Sequence, residues 1–334
     1  MINFGKDHSN YLKLISMYII MNLIYMAKPT YGGWVTMTAH LALKYDCHLM
    51  KIGNRTESCK RDFGYGVFYQ NTKIDEIVNR DNLLITAIDK SYYGYLHQFP
   101  DETRIVIHDP TELTAFIVQS IKDKHLKVIT IREKVQQHLK EKHNIDSMFL
   151  YHPFHLYNYK LGNKENAVSI SRVDYDKKIE MIVEANNHLI YKYALEPIDI
   201  YGKQNERYIF HKLRNTDYTK FYKGRFVKDF DQLTDILKDA RFVVDMSVIK
   251  NDGGGSQYTF LEAIYENCCL VLNKKWLTVD CEFVPGLNCL AVEDGEELAD
   301  LLYNVDYGHV AQMAQNARPL LKKHIREDWM KIFQ

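Results

Sequence analysis

A chain of 334 residues, 46% apolar and 26% charged, can fill two cores of ordinary size, which excludes a disordered chain. Lys plus Arg and Asp plus Glu each number 43, so the net charge is zero; a surface coated in basic charge is excluded, and a local basic groove is not. Cys47, Cys59, Cys268, Cys269, Cys281 and Cys289 form no C-x-x-C pair and no zinc spacing with His, so reduced buried thiols in a cytoplasmic protein are expected, with no metal.

The apolar run 15–27 (ISMYIIMNLIYMA) is too short to span a bilayer, is interrupted by Ser16 and Asn22, and lacks a small-residue cleavage site. It is expected as core with a strand at 22–27, no membrane span is expected, and the first twenty residues leave room for an upstream extension. A turn at 29–33 and a helix at 34–44 follow, then strands at 47–52 and 83–88 and a Tyr- and Gly-rich loop. A strand at 104–107 ends at His108-Asp109-Pro110. Next come a helix at 111–122, a strand at 127–131, a helix at 133–142 and a strand at 148–151. The polar stretch 160–166 (KLGNKEN) marks a domain boundary. A second series follows: strand 168–171, helix 178–186, strands 197–201 and 242–246, helix 258–267, strand 269–273, and closing helices at 296–305 and 309–326.

Continuous apolar strands alternating with helices predict an α/β protein with two doubly wound parallel sheets. The expected domains are 1–160, 161–310 and a C-terminal helix, 311–334, packing back on the first. Ligands of such sheets bind outside the carboxyl ends of the strands, so two facing domains would share one cleft. Four groups follow predicted strands: the turn with Gly32 and Gly33, His108-Asp109, Arg172, and the Gly-rich segment 252–256.

Several residues there carry usable chemistry. Gly254, Gly255 and Ser256 precede a helix, and bare backbone N–H groups beside a helix N-terminus suit a phosphate or a sugar hydroxyl, or else form a plain capped loop. Arg172 and Lys177 can grip a diphosphate or be a solvated surface pair. Glu262, on an otherwise apolar helix, can accept from ribose hydroxyls or simply face solvent. His108 can orient a hydroxyl or move a proton, or be structural. Segment 203–228 carries eight basic and two acidic residues with six interleaved aromatics. Arg207, Lys212, Arg214, Lys220, Lys223 and Arg225 among Tyr208, Phe210, Tyr218 and Phe221 fit nucleic-acid binding, or a solvated basic face. The pairs Asp174/Asp176 and Asp229/Asp231 read as loop and helix-capping residues rather than metal ligands.

In this order the pieces resemble the retaining nucleotide-sugar glycosyltransferases of the GT-B fold. The family's Gly-Arg-x4-Lys motif looks like Ser171-Arg172 through Lys177, with Ser in place of Gly. Its Glu-x7-Glu motif keeps only the second Glu, at Glu262; the first position holds Gly254, so the carboxylate near the transferred sugar is missing. The stretches 24–36 (IYMAKPTYGGWVT), 106–110 (VIHDP) and 257–263 (QYTFLEA) resemble the phage enzymes that glucosylate hydroxymethylated cytosines in DNA. The resemblance implies sugar transfer with retention from a nucleotide-sugar co-substrate, a UDP-sugar, with no metal. Gly32, Gly33, Arg172, Lys177, Gly254, Gly255, Ser256, Tyr258, Thr259 and Glu262 would bind the donor. His108 and Asp109 would be catalytic, and the basic segment would meet double-stranded DNA carrying hydroxymethylated bases in the host cytoplasm. A polysaccharide or lipid acceptor, a sugar-nucleotide epimerase of the same fold, and a non-catalytic nucleic-acid-binding module are the other readings.

Overall fold

The computed structural model describes residues 20–226, 228–248, 257–277 and 282–334, which fall into two compact units. The first holds the described residues up to Leu156 and then His324–Gln334; the second holds Tyr157–Lys323.

The first unit is built on an eight-stranded sheet, order β3-β4-β2-β1-β5-β6-β7-β8. These strands are Asn22–Met26 (β1), His48–Ile52 (β2), Arg61–Gly64 (β3), Val67–Thr72 (β4), Leu83–Ile88 (β5), Arg104–Ile107 (β6), Lys127–Thr130 (β7) and Ser147–Phe149 (β8). All neighbours are parallel except the β3–β4 hairpin. β1 lies at the centre, with Leu23 opposite Leu49 on one side and Leu84 on the other, and every one of its residues is buried. Its helices are Gly33–Tyr45 (α1), Ile74–Val78 (α2), Ala115–Asp123 (α3) and Glu133–His143 (α4). α1 is buried from Val35 to Ala42, so it is a core helix rather than an amphipathic surface one.

The second unit carries a six-stranded sheet, order β11-β10-β9-β12-β13-β14, parallel throughout. Its strands are Asn166–Ile170 (β9), Asp199–Tyr201 (β10), Tyr222–Gly224 (β11), Ala240–Asp245 (β12), Cys269–Asn273 (β13) and Leu290–Val292 (β14). Helices Ile179–Tyr191 (α5), Phe230–Leu237 (α6), Tyr258–Tyr265 (α7), Gly295–Asn304 (α8) and Tyr307–Arg326 (α9) accompany it. Asp229 and Asp294 cap α6 and α8 by accepting from Asp231 N–H and Glu297 N–H, each satisfying an orphan donor of the first turn.

Three expectations need correction. The helix expected at 111–122 begins only at Ala115: Pro110–Glu112 forms its own 3-10 turn under Asp109, and Thr114 caps the helix proper. The segment 61–72, not expected as regular structure, is the β3–β4 hairpin, turned by Tyr65 and Gly66, both at positive φ. The loop after β5 contains a 3-10 turn, Tyr93–Gln98.

The returning C-terminal segment is bonded into the first unit. Lys44 Nζ donates to the carbonyls of Ile325 and Glu327 at 2.7 and 2.8 Å, where α9 ends and its last carbonyls have no intrahelical partners. Trp329 is fully buried, and its indole N–H donates to Tyr151 O at 3.0 Å. Trp329→Ala is expected to lower stability by about 3–5 kcal/mol, from the cavity and the orphaned carbonyl together. Denaturant unfolding checks this; a loss below about 1 kcal/mol would mean that the segment is not an integral part of that core.

Candidate functional site

In the second unit the strand order reverses between β9 and β12, the point at which an open parallel sheet leaves a crevice beyond its strand ends. Ser171 and Arg172 follow β9; Asp245 ends β12, with Ser247 just beyond. Gly202, just after β10, has φ +152°, and a Cβ there would come within 1.7 Å of Ser171 O, so the close approach of these two strand ends requires glycine.

Lys177 Nζ donates to Ser247 Oγ at 2.8 Å and to Gln257 Oε1 at 2.9 Å, and stands 3.6 Å from Asp245 Oδ2. Asp245 Oδ1 accepts from Ser247 N–H at 2.8 Å. Lys177 is 8% exposed and Asp245 2%, so the cost of withdrawing this ammonium from water is offset by the carboxylate beside it. Arg172 differs. Its side chain is 46% exposed, and its two terminal nitrogens each lie 3.2 Å from a carboxylate, Asp174 and Asp176. Asp174 also accepts from Tyr175 N–H and Asn205 Nδ2, which fixes the loop around the guanidinium. Ion pairs this exposed contribute only about 0–1 kcal/mol, so an arriving anion can displace them.

Gly254, Gly255 and Ser256 lie outside the described residues. Tyr258 and Thr259 open α7; Tyr258 is buried, and Thr259 Oγ1 donates to Ile170 O at 3.3 Å, tying the helix start to the end of β9. Glu262 is buried one turn further on, and burial pushes its carboxyl up to about 8.

The first unit has its own reversal, between β1 and β5. There Lys28 N–H donates to Asp89 Oδ2 at 2.6 Å, joining the two strand ends. Gly32 caps α1 at φ +95°, and its carbonyl accepts from the N–H groups of Val35 and Thr36. A Cβ at Gly32 or Gly33 would meet no atom within 4 Å, so the turn borders open space.

His108, at the end of β6, is buried, with Nε2 2.8 Å from Thr86 O. A carbonyl only accepts, so Nε2 carries the proton, and burial pushes the imidazole down to about 4, which keeps it neutral at pH 7. Asp109 accepts from Thr111 N–H at 2.8 Å and from the Thr111 hydroxyl, which makes it the cap of the 3-10 turn. Glu112, unremarked in the sequence, is buried; its Oε1 accepts from Trp34 Nε1 at 2.8 Å and its Oε2 from His108 N–H at 3.0 Å.

The basic segment splits in two. Arg207, Lys212, Arg214, Lys220, Lys223 and Arg225 are all exposed. Lys220 pairs with Asp217 at 2.9 Å, Lys223 with Asp199 at 3.2 Å, and Arg214 lies over the Phe210 ring. The expectation that the interleaved aromatics form a stacking surface is corrected: Tyr208, Tyr218 and Phe221 are core, and of these four only Phe210 is exposed. Their spacing follows the short helices around Glu206–Tyr208 and Tyr218–Phe221, which turn one side inward. Among the described residues no group of three metal-ligating side chains occurs, and no helix is long and apolar enough to cross a membrane.

Besides Glu112, the residues missed in sequence are Asp245, Ser247 and Gln257. A strand-end Asp followed two residues on by Ser, opposite a second strand ending at a basic residue, was the available signal.

No protein-family model matches the chain, and no curated protein matches it in sequence. Solved structures do. An alpha-glucosyltransferase in complex with UDP and a 13-mer DNA containing an HMU base superposes with TM-score 0.66 at 13% identity, over 94% of this chain and 98% of that one. HepE of Anabaena in complex with UDP gives 0.64 at 11% identity, over 94% and 97%. A mutant of S. aureus TarM, in complex with fondaparinux, alpha-GlcNAc-glycerol and UDP, gives 0.55 at 16% identity, over 75% of this chain; the chain spans 55% of the length of TarM. The fold is that of the GT-B glycosyltransferases, with two Rossmann-like domains.

Glu262 sets a pH dependence. Its carboxyl stays protonated in the folded chain up to about 8 and ionises near 4.5 in the unfolded one, so its contribution is complete below 4.5 and is lost as pH rises to 8. Glu262→Gln is expected to flatten the stability–pH curve across that window by about 1.4 kcal/mol per pH unit. Unfolding free energies at pH 5, 6.5 and 8 measure it; parallel curves for variant and parent would show that the carboxyl is ionised throughout.

Proposed function

We propose that this chain transfers a sugar from a UDP-sugar to a hydroxyl acceptor with retention, and that the acceptor is a hydroxymethylated pyrimidine in duplex DNA. The observation that carries the donor half is the cationic pair at the β9–β12 reversal: Lys177, buried and held in place, and Arg172, exposed and exchangeable. A leaving diphosphate gains negative charge as the bond to the anomeric carbon breaks, and fixed cations there favour the transition state. In this reading Arg172 leaves Asp174 and Asp176 for the diphosphate, and Lys177 adds its ammonium. Glu262 meets the ribose, as the helix carrying it begins beside the end of β9. Tyr258 and Thr259, with Gly254, Gly255 and Ser256, complete the donor side, and the two cations replace a metal.

The first unit takes the acceptor in this reading. Gly32 and Gly33 leave room for it, and neutral His108, with Asp109 beside it, orients the hydroxyl. The acceptor proton passes to the leaving diphosphate on the same face, so no covalent intermediate forms on the protein. Support for DNA comes from the exposed basic residues between Arg207 and Arg225 and from the likeness to the DNA-bound alpha-glucosyltransferase. A base reaches such a site only by flipping out of the stack, at a cost of a few kcal/mol that phosphate contacts would offset. The cytoplasm is the compartment this substrate implies.

Two experiments test the halves. Arg172→Ala is expected to weaken UDP binding by about 1.5–3 kcal/mol in titration calorimetry; unchanged affinity removes the guanidinium from the donor site. Mass spectrometry of duplex DNA carrying hydroxymethylated pyrimidines, after incubation with UDP-glucose and EDTA, is expected to show added hexose. Transfer to a free saccharide but not to DNA would replace the acceptor, and activity restored only by Mn²⁺ would overturn the metal-free reading.

A further inference from the structure

Glu112 does something that a capping glutamate does not. In a capping box the glutamate reaches back to one backbone N–H near its own helix start and stays on the surface. Here Oε2 does reach back, to His108 N–H at 3.0 Å, but the side chain is buried and Oε1 accepts at 2.8 Å from the indole N–H of Trp34, 78 positions away. Trp34 is the second residue of α1, directly after Gly32 and Gly33. One carboxyl group therefore bridges the glycine turn and the strand end that carries His108.

The bridge has a second consequence for His108. Its backbone is fixed by Glu112 and its Nε2–H by Thr86 O, and the Trp34 and His108 rings lie 6.1 Å apart. Among the described residues no hydrogen bond reaches Nδ1, which in this tautomer holds the lone pair. Thr38 adds to the frame, its Oγ1 lying 2.8 Å from both Trp34 O and Thr86 Oγ1, so the two ends of the bridge are also joined beneath it.

We propose that Glu112 is the positioning residue of the acceptor side: by holding Trp34 and His108 together it fixes the glycine turn and presents His108 Nδ1 as the acceptor for the incoming hydroxyl's hydrogen bond. This rests on the assignment of His108 to the acceptor. The groups facing Glu112 and His108 are Asp109 and Arg132, with His152 beyond His108. Burial and the Asp109 charge push the Glu112 carboxyl up to about 8, against the two N–H donors that favour its ionised form. The bridge therefore changes character near pH 8, where ionisation strengthens both hydrogen bonds.

The experiment combines a structural and a kinetic readout on the full chain. The Trp34 indole N–H resonance, assigned with Trp34→Phe, is expected to titrate with a midpoint near 8 in the parent and not in Glu112→Gln. A Trp34 resonance with the same pH course in parent and Glu112→Gln overturns the bridge, and this readout stands whether or not transfer is detected. With UDP-glucose and hydroxymethylated duplex DNA, Glu112→Gln and Trp34→Phe are each expected to lower kcat about 10- to 100-fold, the effect of a misplaced catalytic partner, with UDP affinity unchanged. A kcat within about twofold of the parent in both variants reduces Glu112 to a helix cap and overturns the proposal. If Glu112→Gln does not fold, Trp34→Phe, which removes one donor and keeps the carboxyl, decides by the same kinetic criterion. Absence of UDP binding in the parent would instead sink the donor reading, and the Trp34 titration would still decide the bridge.

Discussion

Parallel pairing constrains everything else in this chain. When neighbouring strands run the same way, each connection must return along the sheet face, and all carboxyl ends gather on one edge. Where the order reverses, the two departing loops go to opposite sides and leave backbone without a neighbour. β9 and β12 form that point in one unit, β1 and β5 in the other. Arg172, Asp245 and Ser247 lie at the first, and Lys28, Asp89 and the glycine turn at the second. Neither group is adjacent in sequence. The sheet brings them together, and the buried strands β1, β5, β12 and β13 hold them there.

The two cations of the second unit solve the same problem differently. A charge withdrawn from water costs several kcal/mol unless it is paired and hydrogen-bonded. Lys177 meets that condition permanently, with Ser247, Gln257 and Asp245 as partners, so its ammonium is fixed before any ligand arrives. Arg172 keeps contact with water and borrows two carboxylates from its own loop. Preorganised charge favours a transition state at little reorganisation cost, whereas exchangeable charge lets the product leave. In the proposed reading, one of each suits a site that holds a diphosphate only while its charge grows.

The strands were legible because burial on both faces leaves continuous apolar runs: LLITAI is β5 as read, and CLVLN is β13 as read. The β3–β4 hairpin was not. It lies at the sheet edge, Arg61, Gln70 and Asn71 bond Glu57, and Gly64 and Gly66 break up its apolar residues Phe63, Tyr65 and Val67. Segment 203–228 misled for a related reason. Its charge was legible, but three- and four-residue helices carry too little periodicity to show that Tyr208, Tyr218 and Phe221 turn inward. At the sites, the residues with a charge or a glycine to notice were found. Glu112 escaped because the reading placed it inside a continuous helix, where a glutamate is ordinary. The separate turn at Pro110–Glu112 changes its direction and points it at His108.

Burial also sets the protonation of the buried histidines and carboxyls, and with opposite signs. His108, held near 4, and His40 and His152, held well below the ordinary histidine value, are neutral in the folded chain and charged in the unfolded one below pH 6.5, so they destabilise the fold as pH falls through that range. Glu112 and Glu262, held near 8, act the other way, and their contribution fades as pH rises from 4.5. Between 4.5 and 6.5 the two sets oppose each other. Above 6.5 the contribution of Glu112 and Glu262 continues to fall toward pH 8. A hydroxyl or amide donor reaching either carboxyl from a ligand would favour ionisation, because an ionised oxygen accepts more strongly than a protonated one. In the proposed reading, a ribose hydroxyl donating to Glu262 would therefore couple donor binding to proton release.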